Sequence, residues 1–358
     1  WNCDNSRMLL LANSYFRMYD WPANSVKDLV ILDASSEPRW SRTDPNVLFF
    51  HTGNTLKMLH VASETVTVVR EFKEYSTITG KGKTDISEDG SRFIFIGDGK
   101  DLFVYDMQTD FVTPIAKNTA PGWNNVFLSP DNQPIISWLT PGTGRGQGVE
   151  LFDADGKFIR QLARADGHMK LTRDASGQTV MIWTNSADPQ PDPNAQNAIV
   201  MVDLKTGEHF PILQLDWHLA VHVSAADRGV AFVETYDTAN FRFDESNWKP
   251  YVNELMMIDL ATGVVTRLAH HRSRATDTYN YMPKLTCSRD GSLLAFGSNF
   301  GMSLQAGTKA QHPIGYTDAY YLKTPAAQAA PSVDHGRAAT IETLKGKLRE
   351  ALAIAETL

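Results

Sequence analysis

The sequence predicts an all-β fold, a seven-bladed β-propeller, and three observations predict it. A short phrase recurs seven times along the 358 residues. Its best copies are Ser87-Glu88-Asp89-Gly90-Ser91 and Ser288-Arg289-Asp290-Gly291-Ser292. The marker aspartates are Asp4, Asp44, Asp89, Asp131, Asp174, Asp227 and Asp290. They step by 40, 45, 42, 43, 53 and 63 residues, close to the period of a propeller blade. Each marker introduces an apolar strand, such as Phe93-Ile94-Phe95-Ile96 or Leu293-Leu294-Ala295-Phe296. Near-continuous apolarity fits a sheet buried on both faces.

Within one unit the elements follow in order. The Asp-Gly pair turns the chain between the first and second strands, because Gly accepts positive φ and Asp bonds its own backbone. A third strand is expected to end at Asp33, Asp106, Asp153, Asp203 or Asp259. Thr206-Gly207 and Thr262-Gly263 then turn the chain into a fourth strand. One such unit cannot bury both its faces alone, whereas seven in a ring can. The propeller is assigned to residues 1–323. The last unit shows only three strands, so its outer strand is expected from upstream of Trp1 or from residues after Thr324. Residues 324–339 read as an Ala/Pro-rich linker. In residues 340–358, Ile341, Leu344, Leu348, Leu352 and Ala355 recur at helical spacing, an amphipathic helix with Thr340 as its cap. That helix would pack on its own propeller or join an oligomer or partner.

Net charge is −7 and the pI is about 5.8. With both signs interspersed there is no basic stripe for nucleic acid, and no apolar run reaches membrane-spanning length. Cys3 and Cys287 are the only cysteines; a disulfide and two free thiols both fit. There is no Gly-x-Ser-x-Gly elbow and no phosphate loop. The glycine-rich stretch 142–148 reads as a flexible loop.

Candidate chemistry gathers where long loops meet one rim. Six residues before the marker aspartates stand Pro38, Lys83, Asn125, His168, Val221 and Lys284, with Arg39 and His222 one step away. Units five to seven carry insertions at 186–194, 236–253 and 300–317. The loops into units six and seven carry Trp217-His218, His270-His271-Arg272 and Tyr279-Asn280-Tyr281. Decorated loops on a rigid scaffold are where function usually lives. His168, His222, Tyr281 and Arg272 are therefore the catalytic candidates. His218, His271, Lys249, Tyr279 and Lys83 are the substrate-binding candidates. His168 and His222 fit equally well as packing residues bonded to backbone. His168, His222 and His271 could converge with Glu234 or Asp237 on a divalent metal, although no zinc-type ligand spacing is present.

The strand-turn phrases resemble the WD40-like repeats of bacterial TolB-type propellers over residues 1–323. Gly167-His168-Met169 before Arg173-Asp174, and Trp217-His218 through His222 before Asp227, resemble the histidine-bearing blades of oligogalacturonate lyases. That resemblance implies an exported enzyme, periplasmic or secreted, that cleaves acidic polysaccharide or oligosaccharide by β-elimination. It implies a catalytic histidine at His168 and a manganese ligand at His222 or His218. The family's last blade brings a His-Pro-His-Pro segment. Here the matching stretch is Tyr279-Asn280-Tyr281-Met282-Pro283, without the two histidines. Elimination needs a cation on the carboxylate, a base and an acid; Arg272 or Lys249, His168 or His222, and Tyr281 or Tyr279 supply those types. A non-catalytic propeller that binds glycan or protein through the same rim is the competing expectation.

Overall fold

The structure is a computed structural model that describes residues 1–12, 14–80, 85–117, 122–185, 197–216, 219–237, 250–273, 281–300 and 317–325. The fold is a seven-bladed β-propeller. The chain divides into two compact units, Trp1–Asp166 and Gly167–Leu358. The expected helix at 340–358, nearly all of the 324–339 linker and most of each long insertion lie outside the described residues.

The first unit holds four antiparallel sheets. The first runs Arg7–Ala12, Tyr15–Asp20, Ser25–Asp33. The second runs Arg39–Trp40, Val47–Thr52, Thr55–His60, Thr65–Glu71. In the third, Arg92–Gly97 receives two short pieces on one edge, Ile78–Thr79 and Asp85–Ile86. Asp101–Asp106 and Phe111–Lys117 follow on the other side. The fourth runs Trp123–Leu128, Pro134–Trp138, Val149–Phe152, Phe158–Ala163. Apolar strands pack face to face between neighbouring sheets. Phe49, Phe93, Phe95, Phe103 and Tyr105 join the second and third in one cluster.

The second unit holds three more sheets. One runs Met169–Arg173, Thr179–Asn185, Ala198–Asp203, His209–Gln214. The next runs Leu219–Ala225, Val230–Asp237, Glu254–Asp259, Val265–His270. The last has three strands among the described residues, Thr286–Cys287, Leu293–Ser298 and Asp318–Lys323. First strands of adjacent sheets are laced together. Thr172 Oγ1 donates to Ala226 O at 2.6 Å, and the Cys287 amide donates to Ser224 Oγ at 3.3 Å.

The repeated turn works as its residues require. Asp89 Oδ1 accepts from Ser87 Oγ, the Ser91 amide and Ser91 Oγ at 2.5, 3.0 and 2.8 Å. Asp290 repeats the set with Ser288 and Ser292 at 2.6, 3.0 and 2.8 Å. Gly90 and Gly291 take φ of 76° and 74°, where a Cβ would be strained.

Three expectations are corrected. Asp33 ends the fourth-position strand of the first sheet, and Asp20 holds the third-strand place. Arg7 Nε meets Asp20 at 3.0 Å, just as Arg92 Nε meets Asp106 at 3.0 Å. Asp33 imitates the pattern because it too accepts from a following serine, with the Ser35 amide at 2.9 Å. The stretch 142–148 is a bonded hairpin end. Gly148 N donates to Thr140 O at 2.8 Å, and Arg145 Nε reaches buried Glu150 at 2.7 Å. Tyr236 and Asp237 belong to the strand Val230–Asp237, not to the insertion after it. Neither Cys3 nor Cys287 is in a disulfide; burial pushes the Cys287 thiol up to about 11.

Candidate functional site

The second unit brings two of the candidate histidines into direct contact. His168 precedes the strand Met169–Arg173, and His222 lies within Leu219–Ala225. Their imidazoles stack with centroids 4.5 Å apart and planes 17° apart. Tyr236 continues the stack behind His222, at 5.6 Å and 30°. His168 is exposed, and the His222 side chain is 20% exposed.

Each ring is held by the same kind of bond. His168 Nδ1 lies 2.6 Å from Val221 O. A carbonyl only accepts, so Nδ1 carries the proton and Nε2 the lone pair in the neutral ring. His222 Nδ1 lies 2.5 Å from Glu234 Oε1, and a carboxylate sets the same tautomer. Sheet register explains the second bond, since His222 and Glu234 are cross-strand partners. Glu234 is fully buried and accepts two further bonds, from the Lys284 amide at 2.9 Å and the Leu285 amide at 2.6 Å. One carboxylate thus joins the two-histidine stack to the loop entering the last sheet.

The backbone around His168 is equally constrained. Its amide donates to Thr184 Oγ1 at 2.9 Å, and its carbonyl accepts from the Thr184 amide at 2.9 Å. A Cβ on Gly167 would lie 2.5 Å from Trp183 Nε1 and 2.6 Å from Thr184 O. Glycine is required there for close approach. Lys284, exposed, stands at the same mouth, at φ 50°. Burial of part of its side chain pulls its ammonium below the usual lysine value, and the Glu234 carboxylate pulls the other way.

The other candidates separate from this pair. His271 is fully buried; its Nε2 bonds Thr235 O at 3.1 Å and its Nδ1 accepts from the Ser273 amide at 3.1 Å. Both nitrogens serve the backbone, so the substrate-facing placement expected for His271 is corrected to a core position. Tyr281 is 1% exposed, and its carbonyl accepts from Ser273 Oγ at 2.5 Å; it is a packed residue rather than a rim acid. Arg272 is exposed at φ 56°, just beyond His271. Trp123 and Trp183 are core residues, as packing residues should be. Lys83, His218, Lys249 and Tyr279 lie outside the described residues.

Among the described residues no three metal-ligating side chains gather around a common point. The two histidines do not offer a bidentate site either. Imidazole lone pairs lie in the ring plane, and near-parallel stacked planes aim them side by side rather than at one ion. The described residues therefore do not fit a divalent metal centre. The Asp237 amide donates to Asn253 Oδ1 at 3.3 Å.

Sequence reasoning placed His168, His222, Lys284 and Glu234 near one another. It missed Tyr236 and Gly167. Tyr236 was signalled by its step of two from Glu234, which puts both on one face of the strand. Gly167 stood beside His168, but only the Trp183 contact shows what it does.

No family model and no curated protein matches the sequence. Solved structures do match in fold. An oligogalacturonate lyase in complex with manganese aligns with a TM-score of 0.60 at 15% identity, over 91% of this chain and 88% of that one. The oligogalacturonate lyase of Vibrio parahaemolyticus aligns with a TM-score of 0.61 at 12% identity over the same shares. A chain of a mitotic checkpoint complex aligns with a TM-score of 0.52 at 13% identity, over 83% and 85%. At such identities these are likenesses of fold, and they span unrelated activities.

Proposed function

We propose that the protein binds acidic oligosaccharide at the mouth of the second unit and cleaves it by β-elimination, with His168 and His222 as the proton-transfer pair. The observation that carries this reading is the stack itself: two adjacent imidazoles, each with its Nδ1 held by an acceptor. His168, the exposed member, takes the proton α to the uronate carboxylate on Nε2. His222, when protonated, gives a proton to the departing glycosidic oxygen. Glu234 orients His222 and balances its positive charge. The C–O bond breaks as the C=C bond forms, so the reaction needs no outside reductant or oxidant. The fold likeness to oligogalacturonate lyases supports the substrate class without assigning it.

Incubation with a panel of uronate polymers and oligomers, read by the ultraviolet absorbance of the unsaturated product, tests the reading. The wild type is expected to produce the absorbance on at least one polymer. His168→Ala and His222→Ala are expected to lose about 100-fold or more in rate with near-native melting temperatures. No product from any uronate, together with tight binding of an oligomer, would instead establish a glycan-binding propeller. Export to the periplasm or medium belongs to the same proposal, and fractionation of the native cell tests it. Assembly through residues 340–358 is tested by comparing the mass in solution of the full chain and of a chain ending at residue 325.

A further inference from the structure

A proton-transfer pair does not by itself explain why an acidic ligand would be chosen. The feature that addresses this is the loop entering the last sheet. The Lys284 amide donates to Glu234 Oε1, the same oxygen that receives His222 Nδ1, at 2.9 and 2.5 Å. The Leu285 amide takes the other oxygen at 2.6 Å. On the other side, Pro283 O accepts from the Gly297 amide at 2.7 Å. The backbone around Lys284 is thus clamped from both directions, and it is clamped at φ 50°. A lysine rarely adopts that region, whereas Gly or Asn would adopt it readily. Strain of this kind persists where the surroundings over-determine it, and it clusters at functional positions.

The side chain is exposed, and its ammonium is within electrostatic reach of Glu234. We infer that Lys284 is the specificity-determining cation of this site: it pairs with a ligand carboxylate beside the His168–His222 stack and so selects acidic over neutral saccharide. This rests on the reading of the preceding subsection. It replaces Arg272 in the cation role expected from sequence, because Glu234 ties the Lys284 backbone to the pair, while Arg272 stands earlier in the same connection, directly after buried His271.

Calorimetric titration of the full chain with a uronate trisaccharide, and with its methyl-esterified neutral counterpart, tests the inference. Lys284→Gln should weaken the acidic trisaccharide about 10- to 100-fold and leave the neutral one unchanged. Lys284→Arg should keep most of the preference. Lys284→Gly should hold or raise the melting temperature by relieving the left-handed φ, yet lose the preference for acid; a merely structural lysine would not separate those two readouts. If the wild type binds the acidic trisaccharide and Lys284→Gln binds it equally well, this inference is overturned while the proposed function stands. If the wild type binds neither form, both fall.

Discussion

At the scale of single residues, Glu234 and His271 show how similar-looking buried polar groups have separate jobs. Glu234→Ala leaves His222 Nδ1 and two backbone amides without their acceptor. Removing one partner from a buried charged network costs about 3–5 kcal/mol, and denaturant unfolding should show a loss of that size. His222→Ala leaves Glu234 its two amides, so its cost should be nearer ~1 kcal/mol. His271→Ala should destabilise by about 2–4 kcal/mol through its cavity and two orphaned backbone groups. Turnover per folded molecule should survive, because both His271 nitrogens serve structure. Gly167→Ala drives a Cβ into Trp183 and Thr184, and about 1–3 kcal/mol of overpacking is expected; His168 must shift with it, so activity should fall further than stability. Half of this site was legible beforehand. Counting back from the marker aspartates put His168, His222 and Lys284 at one mouth. Which histidines meet and which serve backbone is decided by strand register and by a carbonyl at hydrogen-bond distance, neither of which a linear pattern records.

At the scale of the element, the repeated Ser-x-Asp-Gly-Ser turn is both the clearest sequence signal and a source of acid sensitivity. Burial would raise the carboxyls of Asp89 and Asp290, but the hydrogen bonds from Ser87 and Ser91, and from Ser288 and Ser292, outweigh it and hold both below the usual aspartate value. Asp106 is lowered likewise: burial opposes, and the Thr109 amide and Arg92 prevail. A carboxyl depressed in the folded state stabilises the protein at pH above its unfolded value. That contribution fades as pH falls through the folded value. Stability should therefore drop below about pH 4. An Asp89→Asn, Asp290→Asn double variant should start about 1 kcal/mol lower per turn at neutral pH and lose less on acidification. Equal pH slopes for the two proteins would refute the assignment. Blade count and order were readable because an Asp recurs at each turn ahead of an apolar strand, with the full Ser-x-Asp-Gly-Ser set at Asp89 and Asp290. Strand identity was less so, as Asp33 shows: any Asp that ends a strand and bonds a following serine looks the same in sequence.

At the scale of the whole molecule, net charge and proposed ligand have the same sign. The chain carries −7 at neutral pH, and an oligouronate is an anion, so the two repel before they touch. Recognition then rests on a few local cations, with Lys284 foremost and Lys170 exposed on the first strand two residues beyond His168. Long-range repulsion is screened as the Debye length contracts from about 30 Å at 0.01 M salt to about 10 Å at 0.1 M. The local Lys284–carboxylate contact is shorter than either length and is screened less. Association should accordingly quicken as salt rises over that range, while dissociation changes little, so that affinity passes through a maximum before high salt weakens the contact itself. Stopped-flow binding of a fluorescent uronate oligomer across ionic strength reads both rates. A rate of association that falls steadily from the lowest salt would mean that a positive surface steers the ligand, and the local-cation account of this acidic propeller would be wrong.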